Sequence, residues 1–288
     1  MNIKQALPWQ AKIIAKIILS RLPFTYRIWQ YLSLFKHGDM EKPEYAHHVF
    51  TTHFERVDFQ NKNGAFTALE IGPGDTLFSA MITHAYGATQ CYLVDVGRFA
   101  REDTAPYRAM ANELSERGLP IQHINDMRTV EDLLSKCNAQ YLTDGLRSLK
   151  TIPDHSVDFV WSQAVLEHIR VSDFFGMMKE LHRVLRHRGV CSHSVDLKDH
   201  LGGALNNLRF SSRVWESDFM AHSGFYTNRI NYSKMLGHFK AAGFSTEVIH
   251  VDRWSHLPTP RAKLAPEFRG ISNDELLISS FDVILRPR

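Results

Sequence analysis

The 288-residue chain has a formal charge of +3, with 44% hydrophobic and 23% charged residues, a balance that suits a soluble globular protein with a sizeable core. So small a net charge excludes the concentrated basic face of a nucleic-acid-binding protein. Cys91, Cys137 and Cys191 are odd in number and far apart, which excludes a disulfide framework or a Cys-x-x-Cys zinc site and fits reduced thiols in the cytoplasm.

From Met1 to Gly38 the basic residues are Lys4, Lys12, Lys16, Arg21, Arg27 and Lys36, with no acidic one. Lys12 and Lys16 interrupt the run Ile13, Ile14, Ile17, Ile18 and Leu19, so it does not span a bilayer. No small-residue cleavage site marks it as a secretion signal. On a helical wheel Leu7, Ile14 and Ile18 gather beside Ile13 and Ile17, opposite the lysines, which predicts a basic amphipathic helix. The simpler expectation is that this helix packs on the core domain or on a second subunit. The functional one is peripheral contact of residues 1–38 with the inner face of a membrane, using Trp9, Phe24, Trp29 and Tyr31 as interfacial aromatics. After a polar break at 39–45, residues 46–57 read as a helix. Residues 1–60 are therefore taken as an N-terminal helical region and 61–288 as the core domain.

From Phe66 onward apolar strands alternate with helical patterns. Strands are expected at 67–71, 90–95, 139–142, 157–161, 189–195, 248–251 and 276–285, and helices at 76–86, 107–117 and 174–185. This order predicts a doubly wound, mostly parallel seven-stranded α/β sheet with an N-terminal helical extension. The last stretch follows another strand after only loop and turn, which predicts an antiparallel edge strand. Residues 197–230 break the alternation, with Gly202-Gly203, Asn206-Asn207 and no clear period. Long irregular segments are usually functional, so this one is read as an acceptor-binding insertion.

The strongest signal is Leu69-Glu70-Ile71-Gly72-Pro73-Gly74-Asp75-Thr76, where a strand turns into a helix. Ligands of open α/β sheets bind at the carboxyl ends of strands, where strand order reverses. Asp95 closes the next strand, about 20 residues on, the spacing at which a carboxylate accepts the ribose hydroxyls of an adenosine. A nicotinamide fingerprint needs a third glycine at position 77, so that a pyrophosphate can approach the helix N-terminus. Leu77 stands there. The lysine and hydroxyl of a phosphate-binding loop are missing too.

Glu70-Ile71-Gly72-Pro73-Gly74 resembles the first motif of class I S-adenosylmethionine (SAM)-dependent methyltransferases. Asp95 is similar to their ribose-binding acid, and Asp144-Gly145 to their adenine-contacting loop. The segment 152–168, with Ser162 and Gln163, resembles their fourth-strand region, and Glu180 to Gly189 their next helix and turn. The resemblance covers roughly 66–195 and implies SAM as cofactor, held by Glu70, Gly72, Pro73, Gly74, Asp95, Asp144, Gly145, Ser162 and Gln163. Thr76 departs from the pattern, since many members carry a third glycine there. The interval from Asp95 to Tyr141 is also longer than usual.

The resemblance implies in-line transfer of a methyl group, with an oxygen of a sugar, glycan or other small hydroxylated molecule as the expected acceptor. An alcohol acceptor calls for a general base. The candidates after the fifth strand are His193, Asp196 and His200, with His168 and His222 as further options. For any single one, hydrogen bonding or helix capping is the simpler explanation. Asp196, Asp199 and His200 also have the chemistry of metal ligands, but their spacing is not diagnostic and no metal is assigned. Phe225, Tyr226 and Trp254 are read either as a sugar-stacking surface or as core. Arg183, Arg186, His187 and Arg188 suit a helix C-terminus. Methyl transfer to a soluble amine or a carbon centre, and a SAM-binding partner protein without turnover, remain open.

Overall fold

The computed structural model describes residues 9–19, 39–58, 64–121, 124 and 126–288. The remainder of the basic N-terminal stretch, with Leu7, Phe24, Trp29 and Tyr31, lies outside the described residues.

Seven strands form one sheet: β1 (Phe66–Ile71), β2 (Ala88–Val94), β3 (Ala139–Leu142), β4 (Val157–Gln163), β5 (Leu185–Asp196), β6 (Phe244–Arg253) and β7 (Ile278–Pro287). Their spatial order is β3-β2-β1-β4-β5-β7-β6. The first five pair in parallel, whereas β7 runs antiparallel to both β5 and β6. The antiparallel strand therefore lies one place in from the edge, and β6 is the edge. Hydropathy explains this: β7 is largely buried, while β6 is largely half-exposed or exposed. Every residue of β1 is buried, as a central strand covered on both faces requires.

Helices cover both faces. Packed on one face are α2 (Pro43–Glu55), α3 (Phe78–Ala85), α4 (Ala105–Glu116) and α5 (Val130–Lys136). Ala46, Val49, Phe50 and Phe54 of α2 share their apolar cluster with β1 and β4, so this helix belongs to the core of the sheet. On the other face lie α6 (Leu146–Leu149), α7 (Val171–Val184) and a later helix over Tyr232–Ala241. Phe174, Met177, Met178, Leu181 and Val184 give α7 its buried stripe at three- and four-residue spacing. The extra helix α5, started by Thr129 accepting from the Asp132 amide at 3.1 Å, fills the long interval between Asp95 and Tyr141.

The 197–230 segment is structured. It contains a 3-10 turn at Asn206–Arg209 and the short helices α8 (Ser212–Trp215) and α9 (Asp218–Ala221); the helix after it is α10 (Tyr232–Ala241), and α11 (Asn273–Leu276) precedes β7. Trp215, Met220, Phe225 and Tyr226 form a small core of their own with Leu201. Onto it packs α1 (Trp9–Leu19), through Ile13 and the partly buried Trp9 and Ile17, with Arg209 over the Trp9 ring at 5.0 Å. The helix thus packs on its own chain, while Ile14 and Ile18 face outward. Among the described residues no helix is long and apolar enough to cross a membrane.

Candidate functional site

β1 and β4 are neighbours, but the chain visits β2 and β3 between them, so strand order reverses at the carboxyl ends of β1 and β4. The glycine turn leaves the sheet there. Gly72 (φ +72°) and Gly74 (φ +69°) both occupy the left-handed region that favours glycine. The Gly72 amide donates to the Val94 carbonyl at 2.8 Å, tying the turn to the tip of β2. A Cβ on Gly72 would sit 2.6 Å from Val165 Cγ2, so the glycine is required by the segment after β4 as well as by its own backbone.

Asp95 follows β2 directly. Its carboxylate accepts from the amides of Gly74 (3.2 Å) and Val96 (2.7 Å). Its carbonyl accepts from the Gly145 amide at 2.8 Å. The tips of β1, β2 and β3 are thereby joined through one residue. Val96 is an apolar side chain left 74% exposed beside Gly145, and so offers a non-polar wall to a planar base. Tyr141 of β3 pins the loop after Asp95, its hydroxyl donating to the Gly97 carbonyl (3.0 Å) and accepting from the Phe99 amide (3.0 Å). Neither Val96 nor Tyr141 is among the residues expected from the sequence. The position of Val96 after the acid was a usable signal; Tyr141 gave none.

Other expected cofactor residues behave differently. Glu70 is buried beneath the turn; desolvation pushes its carboxyl up to about 8 against the Ser79 hydroxyl bonded to it, with the charge of Asp95 adding to the rise. Its Oε2 meets no partner among the described residues. Asp144 is exposed and paired with Arg147 at 2.8 Å, so the turn approaches the site through Gly145 (φ +51°) and not through the acid. Ser162 is fully buried with its hydroxyl bonded to His193 Nδ1 at 2.8 Å. The Gln163 carbonyl oxygen is bonded to His53 Nε2 at 3.0 Å. The side chains of Ser162 and Gln163 are thus held by histidines. Leu77 is wholly buried, with its amide donating to the Tyr107 hydroxyl at 3.3 Å, so no phosphate approaches the start of α3.

The catalytic candidates separate clearly. His193 is a correction: it sits in the middle of β5 with no exposed surface, and burial, with a smaller push from His53, lowers it to about 3. The sequence could not show which neighbour faces it; strand pairing places Ser162 opposite. His53, unremarked in the sequence, is its counterpart on the other face, lowered by burial to about 4 and bonded to Ser192 Oγ at 2.8 Å. Asp196 stands half-buried at the end of β5, accepting from the Lys198 amide at 2.9 Å and paired with the Lys198 ammonium at 3.2 Å. Asp199 is structural: it accepts from the amides of Leu201, Gly202 and Asn206 and so shapes the loop after β5. His200 is exposed and lies against His168, their ring centroids 4.6 Å apart. His222 is exposed, its Nδ1 bonded to the Asp218 carbonyl at the end of α9.

After β4 the chain turns sharply at Ala164, whose φ of +53° is strained for a residue with a side chain. The turn carries Val165 onto Gly72 and leads into the 3-10 turn Leu166–His168. Asn228 clamps this turn: its amide donates to the Glu167 carbonyl (2.7 Å) and its side chain to the carbonyls of Leu166 (2.8 Å) and Ile169 (3.0 Å). Glu167 and Asp196 line a cleft with Asn207, Thr227 and a larger set of leucine and isoleucine side chains, among them Leu205, Leu208 and Ile278. Phe225 and Tyr226 are buried around Trp215, and Trp254 packs on a separate apolar cluster, so these rings form core and not a stacking surface.

Residues 69–192 match the family model described as a methyltransferase domain. These residues, fewer than half of the chain, carry a methyltransferase domain. The matched stretch runs from the glycine turn to the middle of β5 and leaves the 197–230 segment outside. No curated protein matches the sequence significantly. Similar solved structures include a chain from the complex of the Haloferax volcanii Trm112 methyltransferase activator with a methyltransferase (14% identity, 92% of this chain and 99% of that one, TM-score 0.46). Two others are the YcgJ protein of Bacillus subtilis (16%, 84% and 99%, 0.44) and a SAM-dependent methyltransferase of Mesorhizobium loti (14%, 79% and 93%, 0.42). None of them bears on the acceptor of this methyltransferase.

Proposed function

We propose that this methyltransferase acts on a hydroxyl oxygen of a small, polyhydroxylated acceptor of the sugar or glycan class. One observation carries the reading: the cleft two residues beyond the Gly72–Val165 contact, though largely apolar, holds polar atoms without partners. Glu167 offers two carboxyl oxygens and Asn207 one amide oxygen that meet no partner among the described residues, and Asp196 adds a second acid. Those atoms suit a ligand that brings hydroxyl groups to them, because buried polar atoms without partners are unfavourable by about 1–3 kcal/mol each.

SAM, when bound, supplies an electrophilic methyl carbon. The residues fit it: the backbone of Gly72 and Gly74 admits close approach, and Asp95, fixed by the Gly74 and Val96 amides, has the acceptor chemistry that a ribose diol needs. Val96 offers apolar contact for the base. The protein's work is then mainly alignment, which can contribute about 7–11 kcal/mol to the barrier. Asp196, at the strand tip facing the cleft, is the base that takes the hydroxyl proton. Incubating the protein and SAM with panels of sugars, polyols, amines and carbon acids, and measuring S-adenosylhomocysteine, tests the reading. Turnover with a hydroxylated acceptor supports it; turnover confined to amines or carbon acids refutes it.

A further inference from the structure

We propose that Glu167, His168 and His200 form a divalent-cation site at the mouth of the acceptor cleft, taking a first-row transition ion of the Zn2+ or Mn2+ kind. One ligand atom from each of the three lies within 4.8 Å of the others. Ligands sharing an ion at about 2.0–2.2 Å stand at most about 4.4 Å apart. Any closing movement is therefore small, and it falls to the two exposed imidazoles, not to the buried acid.

Two further observations point to an ion. Glu167 is only 1% exposed, and neither of its oxygens meets a hydrogen-bond partner among the described residues. A buried carboxylate left so is very unfavourable unless it is neutralised or coordinates a metal. The second is the setting of His168. Its Nδ1 lies 2.8 Å from the Tyr226 carbonyl, which can only accept, so Nδ1 carries the proton. Metal-ligating histidines are held in the same way, donating the other ring N–H to a carbonyl or carboxylate. Asn228 fixes the backbone of the turn from the same strand-to-helix stretch, so Glu167 and His168 are presented on a rigid support.

The donor set selects the ion. Two imidazoles and one carboxylate suit Zn2+, Mn2+ or Fe2+ better than Mg2+ or Ca2+, which favour all-oxygen shells. Three protein ligands leave a coordination position open, and a hydroxyl bound there is more acidic than in water. The ion's use in the reaction rests on the methyl-transfer reading above; its binding rests on the side chains alone.

The test is calorimetric titration of Zn2+, and separately of Mg2+, into the full-length chain after stripping with a chelator. The wild type should take up one tight equivalent of Zn2+ and show no comparable heat with Mg2+. His168→Ala and His200→Ala should each weaken that binding at least tenfold, and Glu167→Gln should do the same. S-adenosylhomocysteine is titrated into the same preparations as a control for folding; its affinity should be unchanged in His200→Ala, whose side chain is exposed. Absence of a stoichiometric Zn2+ site in the wild type overturns the proposal. So does a Zn2+ site that persists unchanged in the histidine variants, which would place the ion on other histidines. Equal affinity for Mg2+ overturns the choice of ion. Loss of S-adenosylhomocysteine binding in the wild type would count against the methyl-transfer reading and leave the metal result standing by itself.

Discussion

Glu70→Gln tests the buried acid beneath the glycine turn by its effect on stability. In the folded chain burial holds the carboxyl near 8, whereas the ordinary value of a glutamate is 4.5. Between these values the folded protein keeps the proton and the unfolded chain releases it. Stability from this group is therefore fully present below pH 4.5 and is lost as pH rises towards 8, by about 1.4 kcal/mol per pH unit. Glutamine has the same shape and never ionises. The stability of Glu70→Gln minus that of the wild type should grow by about 3 kcal/mol from pH 5 to pH 7.5 and level off above pH 8. Subtracting the two curves removes the opposing effect of His53 and His193, common to both proteins. Urea unfolding followed by circular dichroism, without ligand, at pH 5, 6, 7, 7.5 and 8.5 gives the difference directly. Parallel curves would mean that Glu70 ionises in the folded chain at its ordinary value, and would refute the placement of the acid under the turn.

Four further outcomes are expected. Asp95→Ala should weaken SAM affinity at least tenfold by calorimetry, since the charge-assisted acceptor that also holds Gly74 is removed. Gly72→Val should abolish SAM binding because its side chain meets Val165 and its backbone is strained at φ +72°; adding Val165→Ala should relieve the clash and restore thermal stability only in part. His193→Asn should lose less stability than the wild type between pH 6.5 and 5, by about 2 kcal/mol, measured by urea unfolding. The sign follows from a folded value near 3, below the ordinary 6.5: this contribution is complete above pH 6.5 and is lost on acidification. Asp196→Asn should lower kcat on the accepted hydroxyl substrate by about 100-fold or more while leaving SAM affinity intact; unchanged kcat would move the base elsewhere.

What was legible in the sequence follows the physics of short-range signals. The glycine turn and Asp95 could be read because local backbone demand and strand spacing determine both. Strand existence was also legible, since buried strands read as apolar runs. Orientation was not. Nothing in the string Trp161-Ser162-Gln163 says that Ser162 faces His193 while Gln163 faces His53; only the register of β4 against β5 and the position of α2 decide that. His193 looked available because alternation along a strand shows which residues share a face, not whether that face is covered. Here α7 and α10 pack on that side of the sheet. Phe225 and Tyr226 misled for a related reason: an irregular segment can hold a core of its own, and Trp215 at its centre gives no periodic signal.

That small core links the N-terminal helix to the site. Ile13 of α1 is buried with Tyr226 in one apolar cluster. The carbonyl of Tyr226 holds the His168 ring, and two residues on Asn228 clamps the turn that carries Glu167 and His168. Asn228 is followed by Arg229, whose side chain is 2% exposed, paired with Glu216 at 3.4 Å and set over the Trp215 ring at 5.4 Å. Leaving that guanidinium buried without its partners would be costly, so the segment either packs as a unit or fails as one. The basic helix thus supports, through Tyr226, the residue that orients one histidine of the cleft. Its position on the molecule is explained by this contact without any surface partner, and the outward Ile14 and Ile18 are the part of it that this packing leaves unused.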